Sequence, residues 1–484
     1  MKKYIKINLF IAFCLLFVIA CESDLEVDPN KTMKETDFVN NPDYATNLVN
    51  GVYNKNLDYE TYAFSWIGIT SIVSDDADKG SSQGDSGTDK TKLDQLAFTS
   101  SDISFNDVWK GRYGGIGRAN KALLYLEKMT INQTLKDRLI GETKFLRALW
   151  YFDLVRCFGG VPIVTFEIDL NDFETINNVV FVRKSKQETY AQIEADLLDA
   201  ISRLPLKSQY GNSDMGRATK GAAQALLAKT YLYQEKWQLA FDMAGEVINS
   251  NEYSLLDDYA SVWRESGENG RESIFEIQAT LSNGLRDYTN VQGPRGTPDL
   301  GWGFNTPSES LLNAYENNDV RKAATIMFVP STLWDGLIAP STLTNPRYNY
   351  KAYHSSVKES WDGDKGLTAK NLRILKYSDI LLIRAEAAFN IGNTAEALDR
   401  INEIRDRAGL TDATTVTLQS IWKERRLEMA MEHDRWFDIV RTRQAAAAMA
   451  ADGKTFITGT HEVFPIPQEQ IIASGNRLIQ NNGY

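Results

Sequence analysis

Between Ser74 and Asp89 the chain reads SDDADKGSSQGDSGTD, the densest set of chemistry-bearing residues it contains. Asp75, Asp76, Asp78 and Asp85 offer several carboxylates on a flexible stretch, as calcium prefers, although their spacing does not match the EF-hand pattern. The same carboxylates can accept paired hydrogen bonds from sugar hydroxyls, with Asp75 and Asp76 the residues singled out for contact. A solvated acidic loop is the third reading, and all three stand open. Gly80-Ser81-Ser82-Gln83-Gly84 fits the G-x-S-x-G spacing of a nucleophile elbow. Such an elbow needs a buried strand before the serine and a helix after it, and aspartates crowd both flanks here. No catalytic residue is expected.

A second constellation is aromatic. Carbohydrate sites combine flat apolar faces for the C–H side of a pyranose with polar groups for its hydroxyls. Trp302, Trp334 and Trp361 fall in a long Gly-, Pro- and Asn-rich stretch, with Tyr288 before them and Arg373 just after. Trp66 closes a helical segment ahead of the acidic loop. These residues are the candidate ligand contacts. The competing reading makes the tryptophans satellite-core residues and Arg373 a salt-bridge partner. Trp109, Trp150, Trp237, Trp422 and Trp436 lie in helical patterns and are assigned to the core.

Other chemistry is poorly supported. His354, His433 and His461 are the only histidines and are far apart, so a histidine-built zinc site is not expected. GRYGGIGRAN lacks the lysine ending of a P-loop. Glu424, Glu428 and Glu432 lie on one helix face near Arg425, Arg426 and Arg435. Paired carboxylates can serve a glycosidase, but a structural ion-pair network is the favoured reading.

The elements that must position these residues are mostly helical. GETKFLRALWYFDLVRCFG carries apolar residues near the 3.6 period and stops at Gly159-Gly160. KQETYAQIEADLLDAISRLP is a second amphipathic helix. Two later segments each place an alanine twelve residues before another, Ala228 with Ala240 and Ala385 with Ala397. Helix, short polar turn and returning helix with small contact residues is a tetratricopeptide-type pattern. The expected fold is mostly α, a helical-repeat scaffold with irregular insertions at about 75–105 and 264–370 and a few short strands.

The N-terminus sets location. Lys2, Lys3 and Lys6 precede a 12-residue apolar run, Leu9 to Ala20. That is too short for a membrane span of about 20 residues and fits a secretory signal peptide. Val18-Ile19-Ala20-Cys21 looks like a bacterial lipobox, making Cys21 a lipid attachment point. The expected organisation is signal peptide 1–20, lipidated tether 21–36 and one domain over 37–484. Removing residues 1–20, with their three lysines and no acids, takes the formal charge from -11 to -14. An acidic chain disfavours nucleic acid and anionic headgroups as partners.

RALWYFDLVRCFGGVPIV, RATKGAAQALLAKTYLY, LRILKYSDILLIRAEAAFNIG, INEIRDRAG, ERRLEMAMEHDRWFDIVR and VFPIP resemble, in that order, segments of the SusD/RagB family. NGVYNKNL, VWKGRYGGIGRANKALLYLE and LIQNNGY fit as well, with Asn482 where the family often has proline. The resemblance implies an outer-membrane lipoprotein facing the cell exterior. It implies capture of a neutral oligo- or polysaccharide and delivery to a SusC-like TonB-dependent barrel transporter. It implies a binding protein rather than an enzyme, with no required cofactor beyond possible calcium. A glycosidase or esterase, and a helical-repeat scaffold that binds only protein, are the alternatives.

Overall fold

The computed structural model describes residues 39–296 and 300–484. Cys21, the signal peptide and the 21–36 tether lie outside the described residues.

Helices dominate. α1 (Pro42–Tyr53) begins at Asn41, whose side chain accepts from the Tyr44 N–H, with proline at the first helical position. The short α2 (Phe64–Ile67) precedes the acidic stretch. α3 (Ile103–Lys128) and α4 (Gln133–Phe158) are long and packed together, and α5 (Lys186–Arg203) lies on α4. Ser185 and Glu188 close a reciprocal capping box at the start of α5.

The two repeat units are α6 (Lys220–Leu232) with α7 (Trp237–Asn249), and α8 (Tyr377–Asn390) with α9 (Thr394–Arg407). Their signature alanines, Ala228, Ala240, Ala385 and Ala397, are all fully buried. Only a methyl fits between helices that close. α7 also packs on α8, which joins the two units. α9 ends in a Schellman turn: Gly409 takes φ 72°, its N–H donates to the Asp406 carbonyl, and Leu410 N–H donates to Arg405. α10 (Leu418–Glu428) and α11 (Arg435–Arg441) follow. One apolar cluster runs from Val52 to Leu478 and takes in residues from all of α3 to α9.

The strands are short and paired in twos. β1 (Ala77–Gly80) pairs antiparallel with β3 (Phe304–Pro307), and β2 (Ser273–Ile277) with β4 (Leu372–Lys376). The second pair ties the ends of the long insertion to each other. The first stitches the acidic stretch of the first insertion onto the second. This β1–β3 pairing creates the candidate site.

Trp109, Trp150 and Trp436 are buried, as their helical positions require, whereas Trp237 and Trp422 are only half-buried. No helix of the described residues is long and apolar enough to cross a membrane.

Candidate functional site

β1 aligns Gly80 with Phe304 and Asp78 with Thr306. The Ser81 N–H donates to the Gly303 carbonyl, so the turn that follows β1 leans over the residues preceding β3. Trp302 is fixed there by its own N–H, which donates to Asn290 at 2.7 Å, while the Gly303 N–H donates to Gly293. The result is an open groove of about 690 Å³ lined by Phe64, Asp85, Thr88, Arg295, Trp302 and Phe304.

Its apolar wall is built from three rings. Phe64 of α2 meets the Trp302 ring edge-on, with centroids 5.9 Å apart, and the Phe304 ring at 4.7 Å. The Lys90 ammonium sits 4.1 Å from the Phe64 centroid and is neutralised by Asp89 at 2.7 Å. Phe304 is buried and Trp302 half-buried, so Trp302 is packed on one side and open on another. Gly87 must be glycine: at φ 57° a Cβ would stand 2.5 Å from the Phe304 ring.

Its polar wall is Asp85 with Arg295. Arg295 Nη1 donates to Asp85 Oδ2 at 2.6 Å and to Ser81 Oγ at 2.7 Å. The Gly87 N–H donates to Asp85 Oδ1 at 3.0 Å. Partial burial raises the Asp85 pKa, but the Gly87 N–H and the Arg295 guanidinium outweigh it and hold the carboxyl below its usual range. Among the described residues, both Arg295 side-chain hydrogen bonds use Nη1. Its Nε and Nη2 are left as donors, on a side chain 40% exposed. A flat indole beside a fixed carboxylate–guanidinium pair offers stacking and paired hydrogen bonds together, the combination a sugar ring requires.

The other sequence candidates lie elsewhere. Trp66 turns inward, 4% exposed, with the Arg112 guanidinium 4.2 Å over its ring and Tyr62 at its edge. It is a core residue rather than a ligand contact. Asp75 and Asp76 are also buried. Arg435 clamps Asp75 through two bonds of 2.7 Å, and Arg426 holds Asp76 at 2.7 Å. Burial raises both pKa values; the arginines overcome it at Asp75, which falls below its usual range, while Asp76 stays above. Asp75 gives both oxygens to guanidinium groups and Asp76 gives Oδ1, while Asp76 Oδ2 is buried with no hydrogen-bond partner, so neither carboxylate is open to a sugar in the groove. Asp78 lies on β1 and Asp85 in the groove. Among the described residues no group of three His, Cys, Asp or Glu converges as a metal site.

Tyr288 is buried, with its hydroxyl 2.9 Å from His433 Nε2. Thr70 Oγ1 donates to the Trp66 carbonyl and lies 3.0 Å from His433 Nδ1. Bond counting therefore puts the imidazole proton on Nδ1 and makes Tyr288 the donor to Nε2. Arg373 is buried and bonded to the Arg264 and Asn371 carbonyls and to Glu268, the salt-bridge reading. Trp334 is half-buried with the Arg264 guanidinium 4.6 Å over its ring, and Trp361 meets His354 edge-on at 5.4 Å. Neither lines the groove. Of the three insertion tryptophans the fold brings only Trp302 to it.

Phe64, Thr88 and Arg295 are the groove residues that sequence reasoning missed. Two lie beside residues the sequence singles out, Phe64 two residues before Trp66 and Thr88 inside the acidic stretch, whereas Arg295 has no such neighbour. Glu424, Glu428 and Glu432 form the expected ion-pair network: Arg321 holds Glu424 at 2.6 Å, Arg407 holds Glu428 at 2.6 Å, and Lys351 holds Glu432 at 2.6 Å. The G-x-S-x-G stretch lacks the elbow: β1 ahead of its central serine, Ser82, is buried only at Ala77, and a turn rather than a helix follows.

Comparison with known proteins agrees with this architecture. Residues 25–232 match the SusD-like family model described as starch-binding, associating with outer membrane. Residues 271–484 match the SusD family model. The chain is 26% identical to SusD-like protein P2 of Formosa agariphila over the whole of both chains. A solved laminarin-binding SusD-like protein is 30% identical, with a TM-score of 0.79 over 92% of this chain and 100% of the other. Surface glycan-binding protein A of Bacteroides thetaiotaomicron, solved with laminarihexaose, shares the fold at a TM-score of 0.76 and 24% identity, over 91% of this chain and 99% of its own. With both halves of its length matched by SusD models and a 30% identical relative spanning nearly all of it, the chain belongs to the SusD/RagB family.

Proposed function

We propose that this chain is a cell-surface glycan-binding lipoprotein, anchored in the outer membrane through Cys21, that captures a neutral oligo- or polysaccharide and passes it to a SusC-like TonB-dependent barrel. The observation that carries the reading is the groove itself. A half-open indole at Trp302 stands beside the Asp85–Arg295 pair, whose opposite charges cancel. A carboxylate and a guanidinium that offset each other supply acceptors and donors for hydroxyls, which suits neutral sugars. The laminarin-binding relative makes β-linked glucan the first ligand class to test.

Binding without turnover is the better-supported role. Each carboxylate of the 424–432 row is held by a cation, which leaves no free acid–base pair of the kind glycoside hydrolysis uses. The acidic charge of the chain argues against nucleic acid. The test is titration calorimetry of the chain from Ser23 onward against laminarin and a panel of other neutral glycans, with reducing-end release followed in parallel. Saturable binding without release supports the proposal. Release abolished by a single carboxylate change refutes it. A folded chain that binds none of the panel moves the weight to a scaffold that binds only protein.

A further inference from the structure

We propose that the segment from Thr165 to Val182, an exposed apolar arm, is a docking element for a protein partner, and that the partner presents an apolar strip rimmed by basic side chains. The legs of the arm are bolted to the scaffold. Tyr151 Oη donates to the Val164 carbonyl and Asn120 Nδ2 to Val164 and Phe166. Arg183 donates to Gly160 and Phe158, and the Lys184 N–H donates to Val161. Between these legs nothing is buried. The short helix Phe173–Thr175 and the wide helical turn Ile176–Val180 have no buried residue, although Asp172 caps the first.

What the arm exposes is unusual for this molecule. Leu170 is 77% exposed and Phe173 70%. Phe166, Phe173 and Phe328 are the only exposed phenylalanines among the described residues, so two of three stand on this one arm. Arg183 also donates to the carbonyl of Ile479, itself 75% exposed, which extends the apolar surface from the foot of the arm onto the C-terminal segment. Apolar surface concentrated on an ordered projection marks an interaction site. The interleaved charges select the occupant. Glu167, Asp169, Asp172 and Glu174 alternate with the apolar residues, and no cation appears before Arg183. Four carboxylates on the inserting element oppose burial in a bilayer and repel an anionic surface. They oppose a second copy of this acidic arm for the same reason. A protein groove with basic edges satisfies both features, and in the capture-and-delivery role, on which this assignment rests, that protein is the barrel transporter.

The test uses the full-length lipidated chain, tagged in the exposed 411–416 loop and purified in mild detergent from outer membranes, with the co-purifying barrel identified by mass spectrometry. Three variants are compared with it: Phe166→Ser with Leu170→Ser and Phe173→Ser; Glu167→Lys with Asp169→Lys and Glu174→Lys; and a control, Ile338→Ser with Val357→Ser. The first two are expected to recover at least tenfold less barrel while their affinity for laminarin stays within twofold, and the control to recover as much as the parent. Undiminished recovery by both arm variants overturns the arm and leaves the transporter reading standing. A parent chain that recovers no barrel overturns both. Light scattering that shows an arm-dependent dimer, or arm-dependent flotation with phosphatidylethanolamine–phosphatidylglycerol vesicles, assigns the surface to a second copy or to lipid and overturns the proposal.

Discussion

Replacing Trp302 with alanine tests the groove most directly. The indole is packed against Phe64 on one side and open on the other. A pyranose stacked on the open face removes roughly 60–80 Å² of apolar surface from water, and at about 25 cal/mol per Å² that contributes about 1.5–2 kcal/mol. Each 1.4 kcal/mol is about tenfold in affinity, so Trp302→Ala is expected to weaken glycan binding by about 10–30-fold. The fold survives the change. A fully buried tryptophan costs about 3–5 kcal/mol on truncation, and Trp302 is half-buried, so about 1–2 kcal/mol of stability is lost. Trp302→Phe keeps a smaller face and is expected to lose only a few-fold. The assay is calorimetric titration of parent and variants with the best glycan of the panel, beside a thermal melt of each. An alanine variant that remains folded and binds within twofold of the parent would refute the stacking argument and place the ligand elsewhere.

Arg435→Ala strands Asp75 and Asp76 as buried carboxylates with one cation fewer; a loss of about 3–5 kcal/mol is expected by urea unfolding. Chelation should leave glycan affinity unchanged, because Asp75 is clamped by Arg435 and Asp85 by Arg295; a tenfold loss in EDTA restored by calcium would contradict the geometry. Burial pushes His433 down from its ordinary 6.5 to about 4. The unfolded chain therefore takes up a proton below pH 6.5 that the folded chain refuses. The stability associated with the neutral imidazole is full above pH 6.5 and lost as pH falls toward 4, about 3 kcal/mol at about 1.4 kcal/mol per unit. His433→Asn, which tolerates the φ of 70° there, should flatten that part of the pH–stability curve. Gly87→Ala drives a methyl into the Phe304 ring and should weaken glycan binding more than it lowers the melting temperature.

The scaffold was legible because it is local. Alanines twelve residues apart, apolar residues near the 3.6 period and the Gly159-Gly160 stop each act within a few turns of chain. The structure buries the four alanines as a helical-repeat reading requires. The site was less legible because it is assembled across the chain. Nothing near Ser81 or Trp302 announces that β1 and β3 pair, since a short two-strand ladder has too few residues to show an alternating pattern. Without that pairing Asp75, Asp76, Asp78 and Asp85 look equivalent. With it, the first two face arginines from α11 and the end of α10, and only Asp85 reaches the groove. Arg295 carried no signal at all, because a single arginine in a glycine-rich loop has no period.

The arginine clamp on Asp75 and Asp76 also bears on how the molecule is assembled in time. Its partners are separated by 350 and 360 residues of sequence. Closing so long a span costs conformational entropy before the contact repays it. Until Arg426 and Arg435 arrive, the two carboxylates have no counter-charge and stay in water, which holds β1 away from β3 and the turn at Asp85 away from Trp302. The groove is therefore complete only once the segment carrying Arg426 and Arg435 has docked. A nascent or truncated chain can complete its first helical hairpins while having no affinity for a ligand, so ligand binding reports on completion of the whole fold.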